Sequence, residues 1–135
     1  MNRSEALDAS LSAEYTDRIA AAEFLSAHTD DAACSALLRL LLDSDDTGVT
    51  QRAAEVLVAR NDSYGAILVF AGLALADAEQ ADTILRVISP AWKMGTFAVE
   101  DHARNALAGA NPWARFGAQR TLSWLHLSSE TGWLL

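Results

Sequence analysis

The chain is poor in the residues that stiffen, cross-link or basify a protein: one cysteine, one lysine, two prolines and four tryptophans in 135 residues. Cys34 has no second cysteine to pair with, which excludes an intrachain disulfide. No cation stands beside it in sequence to generate a thiolate, so an inert, buried thiol is expected. No run alternates polar and apolar residues with β-branched enrichment, and strands are therefore not expected. The longest apolar run, residues 64–76, is too short to cross a bilayer, and residues 1–8 lack the apolar core of a signal peptide. A cytoplasmic chain with no membrane contact is expected.

Recognisable chemistry is equally sparse. Glu100, Asp101 and His102 are adjacent, but neighbouring residues point to different faces of a helix and cannot chelate together. His28 stands at a helix end, and His126 has no partner in sequence. There is no HExxH or His-x-x-x-His pair, no glycine-rich phosphate loop and no nucleophile elbow. Neither a metal nor a cofactor is expected, and no catalytic residue is assigned.

What the chain has is alanine, leucine and acid. Hydrophobic residues make up 51%, much of it alanine, which loses little entropy in a helix and lets helix axes approach closely. The formal charge is −8, concentrated in residues 1–67, which hold 12 acids against 5 bases. Such a chain is repelled by phosphate backbones and anionic membranes, so nucleic acid is not an expected partner. The acidity serves either as a solubility surface or as a field that steers a basic partner.

Cap and breaker residues divide the chain into about eight helices. The expected spans are 4–13 (capped by Ser4), 16–28, 32–42, 49–60, 64–76, a sixth from Asp77 that must end by Pro90, a seventh capped by Thr96 and ending at Gly109, and an eighth opened by Asn111-Pro112. Asp77 with Gln80 matches a capping box. Residues 90–95 are expected to form an irregular linker. The fifth helix is apolar all round, and Gly65, Val69, Gly72 and Ala76 form a stripe of small residues on it. Either a neighbouring helix of the same chain packs there, or a second copy does, making a homodimer.

A helical phrase recurs along the chain. It reads Arg18 through Leu25, then Gln51 through Leu57, Thr83 through Ile88, and Arg115 through Leu122. With Leu25, Leu57, Ile88 and Leu122 as anchors, the spacings are 32, 31 and 34 residues by subtraction, a period typical of stacked helical units. The phrases resemble those of the HEAT repeat family, particularly its short bacterial members. The resemblance covers residues 16 to 126; the arginine seven positions before the anchor is present at Arg18 and Arg115 and replaced by Thr50 and Ala81 in the middle repeats. It implies an all-α chain folded as a right-handed α-solenoid, an alpha-alpha superhelix of about four HEAT-like helical hairpins. The chain would be one domain, 1–135, with repeats about 4–28, 29–60, 61–92 and 93–126 and a tail, 127–135. It also implies a concave face, lined by the second helix of each pair, that grips proteins.

In that register the residue two before each anchor is Glu23, Glu55, Arg86 or Arg120, a ladder acidic at one end and basic at the other. It serves either as inter-repeat pairing, Glu55 with Arg86, or as a groove that orients a charged partner. Trp92, Trp113, Trp124 and Trp133 all fall in the last third. They either close the end of the stack or offer interface anchors, Trp113 beside Arg115 being the most exposed candidate. The expected function is a non-catalytic protein–protein interaction module that binds a basic partner protein on its concave face, its sharper form being a small acidic inhibitor or immunity-type protein. Glu23, Glu55, Arg86, Arg120, Trp113 and Arg115 are the candidate partner-binding residues. The alternative is a HEAT-like DNA glycosylase, for which Arg86, Arg104, Arg115, Arg120, Trp113 and Trp124 are the only material.

Overall fold

Short polar side chains cap six of the eight helices among the described residues. The computed structural model describes residues 1–131, with side chains through residue 126. The helices are α1 (Arg3–Ala9), α2 (Tyr15–Leu25), α3 (Asp31–Leu41), α4 (Thr47–Arg60), α5 (Ser63–Leu75), α6 (Ala78–Lys93), α7 (Val99–Ala108) and α8 (Pro112–Thr131). The described residues include no strand. Asn2, Asp30, Asp46, Asp62 and Asp77 each accept a hydrogen bond from a first-turn amide, satisfying donors that a helix start leaves orphaned. Asn111 does the same for α8, accepting from the amides of Trp113 and Ala114. Trp133 and residues 132–135 of the expected tail lie outside the described residues, while α8 runs on through Thr131.

Three expected boundaries are corrected. Asn2, not Ser4, caps α1, because Asn2 and Glu5 form a reciprocal capping box, and the helix ends at Ala9 rather than residue 13. Thr96 does not cap α7; its hydroxyl donates to the carbonyl of Ala91, and the amide of Ala98 donates instead to Asn61 Oδ1. Most consequentially, α6 continues through Pro90 to Lys93. Proline costs one intrahelical bond, but the true stop lies at Gly95, whose φ of 75° places it in the left-handed region. The Gly95 amide donates to Trp92 and the Thr96 amide to Ala91, the paired bonds of a Schellman cap.

One buried cluster runs from Ala6 to Leu125. Its periodicity is visible in four helices. Arg18, Ala21, Ala22 and Leu25 are buried in α2, and Thr50, Ala53, Ala54 and Leu57 at the same offsets in α4. In α6 the buried set is Ala81, Ile84 and Ile88; in α8 it is Ala114, Gly117, Ala118 and Thr121. The fourth anchor is therefore Thr121, and Leu122 is only half-buried. The sequence register slipped by one residue there, because leucine was favoured over threonine at a position that the structure buries completely.

Helices α2, α4 and α6 pack side by side in that order, and α1, α3, α5 and α7 form a second succession. The last helix departs from this arrangement: α8 lies chiefly on α5 and α7 rather than on α6. Helix α5 is consequently enclosed from several directions. Its small-residue stripe is spent within the chain, since Gly65 lies against the Leu57 carbonyl, Gly72 against Leu41 and Ile84, and Val69 is fully buried. Ala76 is half-buried. The stripe has no exposed face for a second copy.

Candidate functional site

A depression in the described surface lies between α4 and α6. Its volume is about 860 Å³. Helix α4 contributes Thr47, Gln51, Glu55 and Val58, positions three to four apart that share one helix face. Across from them α6 contributes Glu79, Asp82, Thr83, Arg86 and Val87, and the turn beyond Pro90 adds Met94 and Thr96. Met94 is 78% exposed, an unusual degree for an apolar side chain at a groove mouth. Three carboxylates and one guanidinium on this lining give the groove a negative balance over an apolar floor of Val58, Ala59, Val87 and Ala91.

The ladder is only partly assembled. Arg86 pairs with Asp82 on its own helix at 3.0 Å, and Glu55 meets Arg52 on its own helix at 3.6 Å; the expected Glu55–Arg86 bridge does not form. The inter-helix pair is Glu23 with Arg52, at 2.7 Å. The Glu23 hydrogen bond also raises the pKa of Arg52. The partner of Glu23 thus lies five positions before its anchor rather than two, since neighbouring helices meet with an axial offset of about one turn. Arg120 is not on this row: it donates to the Leu73 carbonyl on α5 at 3.2 Å, as follows from the one-residue register slip and the seat of α8 on α5. Trp113 and Arg115 are exposed, but neither lines the groove. Sequence reasoning missed Arg52, Thr83 and Met94. Tracking the position five before each anchor would have found the first two.

The Glu23–Arg52 pair is a measurable surface interaction. Both side chains are more than 40% exposed, so a double-mutant cycle with Glu23→Gln and Arg52→Gln is expected to give a coupling of only about 0.2–1 kcal/mol. The coupling should fade in molar salt. A salt-insensitive value several times larger would refute the assignment as an exposed pair.

Other polar clusters serve the scaffold. Arg60 donates to the carbonyls of Ser26 and His28 at the end of α2, and to Asp62. Burial pushes the Asp62 carboxyl up, yet the Gly65 amide and Arg60 outweigh it and hold it below its usual range. Burial raises the Cys34 thiol, which leaves it a poorer nucleophile. No group of three or more His, Cys, Asp or Glu among the described residues is arranged to hold a metal ion. No helix of the described residues is long and apolar enough to cross a membrane. Comparison with known proteins finds no matching family model, no similar curated protein and no similar solved structure.

Proposed function

We propose that this chain is a non-catalytic protein-binding module, a right-handed solenoid of HEAT-like hairpins whose α4–α6 groove takes a segment of a basic partner protein. The observation that carries the reading is the groove itself, an open channel with an apolar floor and an acidic rim. Apolar surface supplies affinity and the charged rim supplies orientation and on-rate. The recurring buried offsets in α2, α4, α6 and α8 support the repeat assignment. The seat of α8 on α5 makes the last hairpin an end piece, of the kind a repeat stack needs where no neighbour follows. Inhibition of a basic enzyme or toxin is one role consistent with the charge.

The nucleic-acid alternative is weaker on the same geometry. Six of the nine arginines are engaged with carboxylates: Arg3, Arg18, Arg52, Arg60, Arg86 and Arg104. Cations tied to acids release few phosphate counterions. Titration of isotopically labelled protein with basic, neutral and acidic hexapeptides tests the two readings together with a gel shift on alkylated duplex DNA. Basic peptides are expected to move the amides of Gln51, Glu55, Thr83 and Val87, with no DNA retardation at low salt. Peptide shifts confined to the Trp113–Phe116 surface, or tight and salt-sensitive DNA binding, would overturn the proposal.

A further inference from the structure

We propose that the α4–α6 groove holds an arginine side chain of the partner, its guanidinium seated between Glu55 and Thr83; this rests on the protein-binding reading above. The site is a repeat of one already filled within the chain. Glu23 stands two before the anchor of α2, and Arg52 stands five before the anchor of α4; the guanidinium Nε and Nη2 both donate to Glu23 Oε2, at 3.1 and 2.7 Å. Advancing one layer carries Glu23 to Glu55 and Arg52 to Thr83. The acid is kept and the cation is lost.

Threonine is too short to cross between the helices, and its hydroxyl donates back to the Glu79 carbonyl of its own helix at 2.9 Å. The space that a guanidinium fills between α2 and α4 is therefore part of the open volume between α4 and α6, and both Glu55 and Thr83 line it. Among the described residues Glu55 makes one ion pair, with Arg52 at 3.6 Å. Its side chain borders the groove. Glu79 and Asp82 add negative charge nearby, while Val58, Val87 and Ala91 give a methylene stem an apolar bed. Arginine is preferred to lysine because the filled layer sets two guanidinium nitrogens on a single oxygen of the Glu23 carboxylate, where an ammonium would set one.

The occupant is an extended segment. The α4 wall from Thr47 to Ala59 covers thirteen residues, about 18 Å of helix axis, which about five or six extended residues cover. Alternate side chains of such a segment face the floor, so an apolar side chain two positions from the arginine reaches Val87 or Met94.

Fluorescence anisotropy with a labelled heptapeptide carrying one central arginine, valine two positions to either side of it and alanine elsewhere tests this, alongside the same peptide with citrulline or lysine in place of arginine. Citrulline keeps the shape and removes the charge; it is expected to bind about two- to fivefold more weakly, the scale of the exposed Glu23–Arg52 pair, with lysine in between. Thr83→Arg supplies the missing cation from within and should weaken the arginine peptide at least tenfold. Glu55→Gln should weaken it about two- to fivefold, the scale of an exposed pair, which keeps the test intact if Thr83→Arg misfolds. Equal affinity for the arginine and citrulline peptides, or unchanged affinity of folded Thr83→Arg, overturns the arginine seat while leaving a protein-binding groove in place. If none of the three peptides raises the anisotropy, the seat and the groove reading fall together.

Discussion

Gly117→Ala is expected to destabilise the protein by about 3 kcal/mol or more, although alanine is the better helix former by about 1 kcal/mol. A Cβ at residue 117 would lie 1.7 Å from the Phe70 carbonyl oxygen and 2.5 Å from its carbon. Both are backbone atoms of α5, so no side chain can swing away, and α8 must move bodily off its seat. Gly109→Ala makes the contrast: its Cβ would find nothing nearer than 3.4 Å, and its φ of −86° suits any residue. That change should be neutral or stabilising by up to about 1 kcal/mol through reduced unfolded-state entropy. Urea denaturation of the two variants decides the matter. Near-equal stability of Gly117→Ala and the parent protein would mean that α8 does not pack on α5 as described. Hydrogen exchange adds a second readout, since the loosened protection should concentrate in α5, α7 and α8 and spare α2.

The same crossing shows why the sequence disclosed some of this molecule and hid the rest. Local signals were legible: the Asp77–Gln80 box, Asn111 before Pro112, and Gly109 at the end of α7 each act through one or two neighbouring residues. The period was also legible, because burial at fixed offsets forces Ala and Leu to recur. Register within α8 was not. Thr121 and Leu122 compete as anchor, and only the approach of Gly117 to Phe70 decides between them, a contact across forty-seven positions of chain. The error carried Arg120 onto a ladder that it does not share. Pro90 hid the groove mouth in a similar way: a rule about helix ends placed Met94 in a linker, whereas the stop is the glycine five residues on. The groove was invisible as a whole, since its defining feature is a threonine where the preceding layer has an arginine.

Replacing Arg18 is expected to cost nearly as much as the glycine substitution, by a different route. Its side chain is 7% exposed and that of Asp43 is 10% exposed. The guanidinium donates to both Asp43 oxygens, at 2.8 and 3.2 Å, and to the carbonyls of Ser12 and Ala13 at 2.9 and 3.0 Å. Asp43 in turn accepts from the amides of Asp45 and Asp46, which shapes the loop into α4, and Gln80 reaches the Leu42 and Asp43 carbonyls from the far side. One buried pair thus locks the α1–α2 connection, the α3–α4 loop and, through Gln80, the start of α6. Arg18→Met leaves the half-buried Asp43 carboxylate, which lies beside Arg39 and Ser44, with the Asp45 and Asp46 amides as its hydrogen bonds, and a loss of about 2–3 kcal/mol is expected. Asp43→Asn should cost less, because the amide oxygen still accepts from Asp46. The double variant should recover part of the sum, with a coupling of about 2 kcal/mol or more, well above that of the exposed Glu23–Arg52 pair. Additive single losses, or an Arg18→Met cost below about 1 kcal/mol, would show that water reaches the pair and that the three segments are held by their apolar contacts alone.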